Sequence, residues 1–427
     1  MMKFFAEKYF AWKYFAAVIA ALALGSCGFT GVEQAPLPTS TPTPAPTPTL
    51  TPTPIPIPIP IPILDHHHPA TPDLMEEMDE ADEIDKKIAQ MSLSEKVGQL
   101  FIVRMPSPNR ALTLIQDHHI GGFILFGSDV HSIEQLQQLT ADLQEASSIP
   151  LFIAVDEEGG RVSRVGRLFP DRHPSAFSIG QTADPANAYT AYYTIGRRLS
   201  YLGFNMNFAP VADIWTNPAN TVIGERAFST EPEPAAEMVY AAIQGTQSAG
   251  IFSVIKHFPG HGDTFEDSHY NMAFYHHDRA RFNAVESVPF RRGIEAGTDG
   301  IMLGHIAASA LSPEYPHIAT FCSYLINTVL RQSWGFDGLI ITDALDMRGL
   351  TNYFTDEEIV INAFLAGSDI LLMPNNPERA ISALLSAYHD GVIDHVVFHS
   401  RLHESLRRIL RIKKCANAHF EGGSGLS

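Results

Sequence analysis

The run from Lys256 to His269, KHFPGHGDTFEDSH, sets three histidines, three carboxylates and a lysine among two glycines and a proline. A loop so rich in titratable groups is a candidate for chemistry. Phosphate binding fits poorly. GHGDT lacks the Walker spacing and its terminal Lys-Ser/Thr, and its acidity repels an anion. Metal binding has the right residue types in His257, His261, Asp263, Asp267 and His269. Their spacing is irregular, however, and neither an HxH after the first strand nor a helical HExxH is present. No metal and no other cofactor is therefore expected. Proton transfer to a glycosidic oxygen is the third option. It needs a donor on one side of the bond and a nucleophile or base on the other. Histidine titrates near neutrality with little adjustment, which suits His269 as the donor. Asp267, two residues earlier, can orient the ring and hold one tautomer. The same spacing also reads as an Asx-turn beside a surface histidine. Asp343, with no Lys or Arg adjacent in sequence, suits the nucleophile.

These residues need elements to position them. Apolar runs recur at 99–103, 122–126, 151–155, 204–209, 252–256, 300–304, 338–342 and 369–373. Helix candidates lie between them at 132–146, 185–202, 234–249, 281–296, 356–367 and 377–390, and an amphipathic stretch at 400–414 closes the series. Unbroken apolar strands alternating with helices indicate a parallel sheet covered on both faces. Eight such units predict an α/β fold of the (β/α)8 TIM-type barrel, with an open doubly wound sheet as the alternative. In a barrel the strands' C-terminal ends carry the active site. Asp156, Lys256 with His257, His305 and Asp343 all follow or end such strands. Singly, Asp156 and Asp343 also read as helix or turn caps. Together they predict a pocket.

The 256–269 run resembles the signature of the β-N-acetylhexosaminidase branch of glycoside hydrolase family 3. VDEEGGRVSR (155–164), NFAPVADI (207–214), IGERAFS (223–229) and IITDALDM (340–347) resemble its other blocks, in order. The resemblance implies a retaining, double-displacement hydrolase of the single-domain type, removing terminal N-acetylglucosamine-type residues. It matches Asp343 to the nucleophile, His269 to the acid/base and Asp267 to its partner. Asp156, Arg164, Arg226, Lys256 and His257 match the residues that hold the sugar. His261 and Asp263 are expected to shape the loop, and Glu157 and Glu158 to be structural. Too little chain follows the eighth strand for a further α/β domain, so the donor is expected from within the barrel. The expected substrates are peptidoglycan fragments or chito-oligosaccharides. The alternatives are a phosphorylase and a non-catalytic sugar-binding lipoprotein.

The first residues read as an address. Lys3, Lys8 and Lys13 flank a short apolar run that ends in LGSC. This predicts a lipoprotein-type signal peptide over 1–26 and a lipid anchor on Cys27. Alternating proline from Pro36 to Pro62 excludes helix and sheet and favours an extended rod. A disordered tether is therefore expected over 27–79, the catalytic domain over 80–415 and a flexible tail over 416–427. The expected location is extracytoplasmic and membrane-anchored, periplasmic or at the cell surface, as a monomer. A net charge of −18 argues against a nucleic-acid partner. Cys322 and Cys415 are expected as separate buried thiols.

Overall fold

The structure, a computed structural model, describes residues 74–313 and 317–422, with side chains over 80–313 and 317–414. The expected signal peptide, Cys27, the proline-rich run, the Cys415 side chain and the last tail residues lie outside these. No described helix is long and apolar enough to cross a membrane.

Every apolar run read from the sequence carries a strand. The eight are β1 (Phe101–Arg104), β2 (Gly122–Leu125), β3 (Phe152–Val155), β4 (Met206–Asn207), β5 (Phe252–Phe258), β7 (Gly300–Leu303), β9 (Leu339–Thr342) and β10 (Leu371–Leu372). They pair in the order β10-β1-β2-β3-β4-β5-β7-β9, all parallel. An Ile341–Ile370 bridge then joins the two edges. The Thr342 N–H donating to the Ile370 carbonyl at 3.0 Å reinforces that seam. The sheet is thus a barrel and not an open layer. β2, β3, β7 and β9 are buried at every position, because side chains fill the barrel on one face and helices cover the other.

The helices begin where caps and prolines dictate. Ser132 accepts from Gln135 N–H, and Thr355 forms a reciprocal capping box with Glu358. Pro185, Pro232 and Pro377 stand in first turns, where a missing N–H costs nothing. One expected helix, 281–296, is two: Arg279–Ala284 and Ser287–Glu295. The break falls at Glu286, which turns inward to accept from Tyr275 Oη–H at 2.7 Å and Arg281 Nε–H at 3.2 Å. Pro289 agrees with this, since it must lie near a helix start. Residue 80, where the sequence places the start of the globular part, lies inside the helix Leu74–Gln90.

Several elements have no counterpart in the sequence reading, among them the helices Leu74–Gln90, Leu93–Gly98, Pro108–His118 and Ala176–Gly180. β6 (Ala273–Phe274) and β8 (Ile306–Ala307) form a parallel ribbon outside the barrel. It ties the far end of the histidine-rich loop to the segment after β7. A π-type helix spans Tyr324–Ser333.

Candidate active site

Because the strands run parallel, Asp156 after β3, Lys256 and His257 on β5, His305 after β7 and Asp343 after β9 share one rim of the barrel. The β5–β7 register shifts between Lys256 and Phe258. In a regular strand, neighbouring side chains point to opposite faces. The irregularity falls where Lys256 faces Asp156 and Glu158 while His257 faces Asp213 and Arg226.

Those partners form a buried ion network. Lys256 Nζ donates to Asp156 Oδ1 at 2.7 Å and pairs with Glu158 Oε1 at 2.6 Å. Arg226 grips Glu158 with two bonds, Nε to Oε2 at 2.8 Å and Nη2 to Oε1 at 2.9 Å. The same Nη2 lies 3.4 Å from His257 Nε2. Burial opposes the charge on each group, yet the opposite charges prevail. Glu158 is held far below the usual carboxylate range by Arg226 and Lys256, and Lys256 is raised by Asp156 and Glu158. Two acids against two bases leave the network neutral, with Asp156 and Arg226 partly exposed and Lys256 and Glu158 buried.

Asp213 carries the second network. Its Oδ2 accepts from His257 N–H at 3.2 Å and bonds His257 Nδ1 at 2.7 Å, while Oδ1 accepts from His261 N–H at 2.6 Å. Burial raises this carboxyl, but the neighbouring His257 and His261 bring it below its ordinary value. Asp213 thereby fixes the ring that faces Arg226 and the start of the histidine-rich loop.

Asp343 lies beside both networks. Its N–H donates to the Leu303 carbonyl at 2.9 Å, and its Oδ1 accepts from Ala344 N–H at 2.7 Å. Burial raises its carboxyl, but His305, His257 and the Ala344 N–H outweigh this and keep it below its usual range. It is held ionised, as a nucleophile requires. His305 is fully buried, bonded through Nδ1 to Thr320 Oγ1 at 2.7 Å and through Nε2 to the Ala344 carbonyl at 2.8 Å. It therefore supports the backbone behind Asp343 and is closed to solvent.

The Asp267–His269 pair stands at the loop's far end. Asp267 Oδ1 accepts from His269 N–H at 2.9 Å and bonds His269 Nδ1 at 2.7 Å. The Asx-turn and the carboxylate–imidazole pair, alternatives in the sequence, are one arrangement here. Nε2 remains to carry the proton. The His269 side chain is 59% exposed. It is brought toward Asp343 by the chain beyond that residue, where Arg348 N–H donates to the His269 carbonyl at 3.3 Å and Gly349 N–H to the Ser268 carbonyl at 3.1 Å. A Cβ on Gly349 would lie 2.6 Å from that Ser268 oxygen, so this docking needs glycine.

Of the residues matched to sugar binding, Asp156, Arg226, Lys256 and His257 converge, and Arg164 stands apart from their network. Its guanidinium lies over Phe126, 5.5 Å from the ring centroid, with Arg104 over the same ring at 4.9 Å. Arg164 Nε is buried with no hydrogen-bond partner among the described residues. Glu157 accepts from Ser163 Oγ–H and from the Arg164 and Val165 N–H groups, a scaffolding role. Sequence reasoning misses Asp213, and it reads Glu158 as structural without showing its partners. Both lie inside quoted motifs, but only burial against Lys256, Arg226 and His257 separates them from ordinary surface acids. Among the described residues, no three His, Cys, Asp or Glu side chains converge as a metal cage.

Residues 92–412 match the glycosyl hydrolase family 3 N-terminal domain. The chain is 35% identical over 329 residues to beta-hexosaminidase A of Pseudoalteromonas piscicida, covering 72% of this chain and 55% of that one. It is 36% identical over 273 residues to a beta-hexosaminidase of Nitrosomonas eutropha, covering 62% and 77%. It superimposes on a family 3 β-N-acetylglucosaminidase from a Paenibacillus strain with a TM-score of 0.74 at 35% identity, covering 79% and 64%.

Proposed function

We infer the activity from one premise: the chain belongs to glycosyl hydrolase family 3. We propose that it is a retaining β-N-acetylhexosaminidase, acting on terminal N-acetylglucosamine-type residues of peptidoglycan fragments or chito-oligosaccharides. The names of its relatives support the substrate class. The observation that carries the mechanism is the Asp267–His269 contact, on a loop end docked against the segment that follows Asp343.

Asp343 attacks the anomeric carbon while His269 Nε2–H gives its proton to the departing glycosidic oxygen. The sugar becomes an ester of Asp343. His269, now neutral, takes a proton from water, and the water displaces Asp343 from the sugar. Asp267 holds the ring so that Nε2 faces the bond and stabilises the imidazolium as it re-forms. Asp156, Lys256, Arg226 and His257 grip the sugar hydroxyls. Arg164, with its unpartnered Nε, adds a donor on the Phe126 side. A network that is already internally paired keeps these groups in place before substrate arrives, so little ordering remains to be done on binding.

His269→Ala is expected to lower kcat on an alkyl N-acetylglucosaminide by at least about 10²-fold, and by much less on an aryl glycoside whose leaving group departs without a proton. Equal losses on both substrates would remove His269 from the acid role. Products with and without phosphate decide between hydrolysis and phosphorolysis. Free N-acetylglucosamine in both supports the hydrolase, and a sugar 1-phosphate makes the chain a phosphorylase. Tight binding of an N-acetylglucosamine analogue with no turnover supports the sugar-binding alternative.

We also propose that the chain is exported and lipid-anchored at Cys27 beyond a proline-rich tether. In a bacterial host, mass spectrometry of the mature N-terminus is expected to find acylated Cys27, and Cys27→Ala to leave the membrane fraction. An unmodified Cys27 would overturn the anchor.

A further inference from the structure

The loop between β5 and β6 contains a buried histidine that the proposed mechanism does not use. His261 is 1% exposed. Both of its ring nitrogens are engaged inside the loop: Nδ1 lies 2.7 Å from Thr264 Oγ1 and Nε2 lies 2.9 Å from Ser268 Oγ. Ser268 stands between Asp267 and His269, and its hydroxyl is buried while both of those side chains reach solvent. At the other end, the His261 backbone N–H is held by Asp213, the carboxylate that also fixes His257. Gly262 presses this part of the loop onto its neighbour, since a Cβ there would lie 1.8 Å from the Ile214 carbonyl oxygen. A continuous series of bonds thus runs from the sugar-gripping side, His257–Asp213, through the His261 backbone and ring to Ser268.

We propose that His261 is a positioning residue for the acid/base pair: its ring tethers Ser268 and so holds Asp267 and His269 at the height of the scissile bond. This rests on the acid/base reading of His269. The physical need is plain. His269 is exposed and Asp267 partly so, the pair sits toward the end of a long loop, and among the described residues it makes no salt bridge to the barrel. Without an internal tether, what holds this end among the described residues is the segment after Asp343: the Arg348 and Gly349 N–H groups on the His269 and Ser268 carbonyls, and the Asn352 amide on the Tyr270 carbonyl at 3.2 Å. A displacement of about 1 Å in a catalytic group costs on the order of 10²-fold in rate. An imidazole suits the task because it is rigid and can bond hydroxyls on opposite edges. Burial pushes this ring down to about 4, so it stays neutral at ordinary pH, with one nitrogen donating and the other accepting.

The tether has two ends that can be cut separately. Ser268→Ala removes the hydroxyl and leaves the ring. His261→Gln places an amide near the position of Nε2, whereas His261→Asn reaches only the position of Nδ1. In the full chain, Ser268→Ala and His261→Asn are expected to lower kcat/KM by about 10-fold or more on glycosides with poor leaving groups, and by progressively less as the leaving group improves. His261→Gln should retain more activity than His261→Asn. The Ser268→Ala/His261→Asn pair should be little worse than the poorer single variant, because both break one contact. Amide hydrogen exchange over 264–271 should rise in Ser268→Ala while β3, β5 and β9 stay protected. The same loss on every leaving group, or wild-type rates in Ser268→Ala, would overturn the proposal. The exchange readout is independent of turnover. If the wild-type chain hydrolyses no N-acetylglucosaminide, the acid/base reading fails, and unchanged exchange in Ser268→Ala would separately remove the tether.

Discussion

Asp343→Ala is expected to lower kcat on an aryl N-acetylglucosaminide by at least about 10²-fold, with the fold intact by circular dichroism. A good leaving group should not rescue it, which separates it from His269→Ala. The reason lies in what each group supplies. A leaving group that departs unaided replaces a proton donor, but nothing in the substrate replaces the atom that bonds the anomeric carbon. The position of Asp343 favours that role. Its Oδ1 is turned to the Ala344 N–H at 2.7 Å, its charge is maintained by His305 and His257, and the Ala344 carbonyl behind it is held by His305. A 2-deoxy-2-fluoro glycoside that reacts but hydrolyses slowly should leave its sugar on the enzyme, and peptide mapping should place it on Asp343. Attachment to Asp156, Asp346 or any other residue would refute the assignment.

Lys256→Met is expected to destabilise the chain by about 3 kcal/mol or more, measured by urea unfolding at pH 7, and to depress kcat/KM as well. The ammonium is 2% exposed and lies between Asp156 and Glu158 at 2.7 and 2.6 Å. Methionine fills the volume but leaves a buried network with one cation for two carboxylates. Arg226 still neutralises Glu158, so the unpaired charge falls on Asp156, which loses the contact that orients it toward the sugar. Glu158→Gln in the Lys256→Met background should cost much less than Glu158→Gln alone, since the acid is removed together with its base. Full additivity of the two changes would show that they do not act as one unit.

Much of this was legible along the chain. A strand buried on both faces must be apolar throughout, and a helix packed on it must start at a cap and repeat at its own period. The eight strands, most of the longer helices and the rim residues at strand ends therefore appear in sequence order, because each depends on its own few neighbours, whereas the helices Pro108–His118 and Tyr324–Ser333 are absent from that reading. The Asp267–His269 pair is legible for the same reason: two residues of spacing are enough to bring carboxylate to ring.

What the chain order could not show is what depends on residues far apart. Glu158 reads as a third acid in a row, yet it is the ion that joins Lys256 to Arg226 across 98 and 68 positions. Asp213 reads as the end of an apolar run, yet it fixes His257 and His261. The helix expected over 281–296 breaks because Glu286 finds Tyr275 and Arg281, a gain no local propensity records. Sequence alone indicated eight βα units, the family and the pair of groups suited to the chemistry, since local pattern and residue type suffice for these, while the Ile341–Ile370 seam decided the barrel over the open sheet. Only the tertiary structure decided which charges are buried together, how His305 backs Asp343 and how His261 reaches Ser268. Burial and opposition across the barrel create those interactions, and neither exists until the chain has closed on itself.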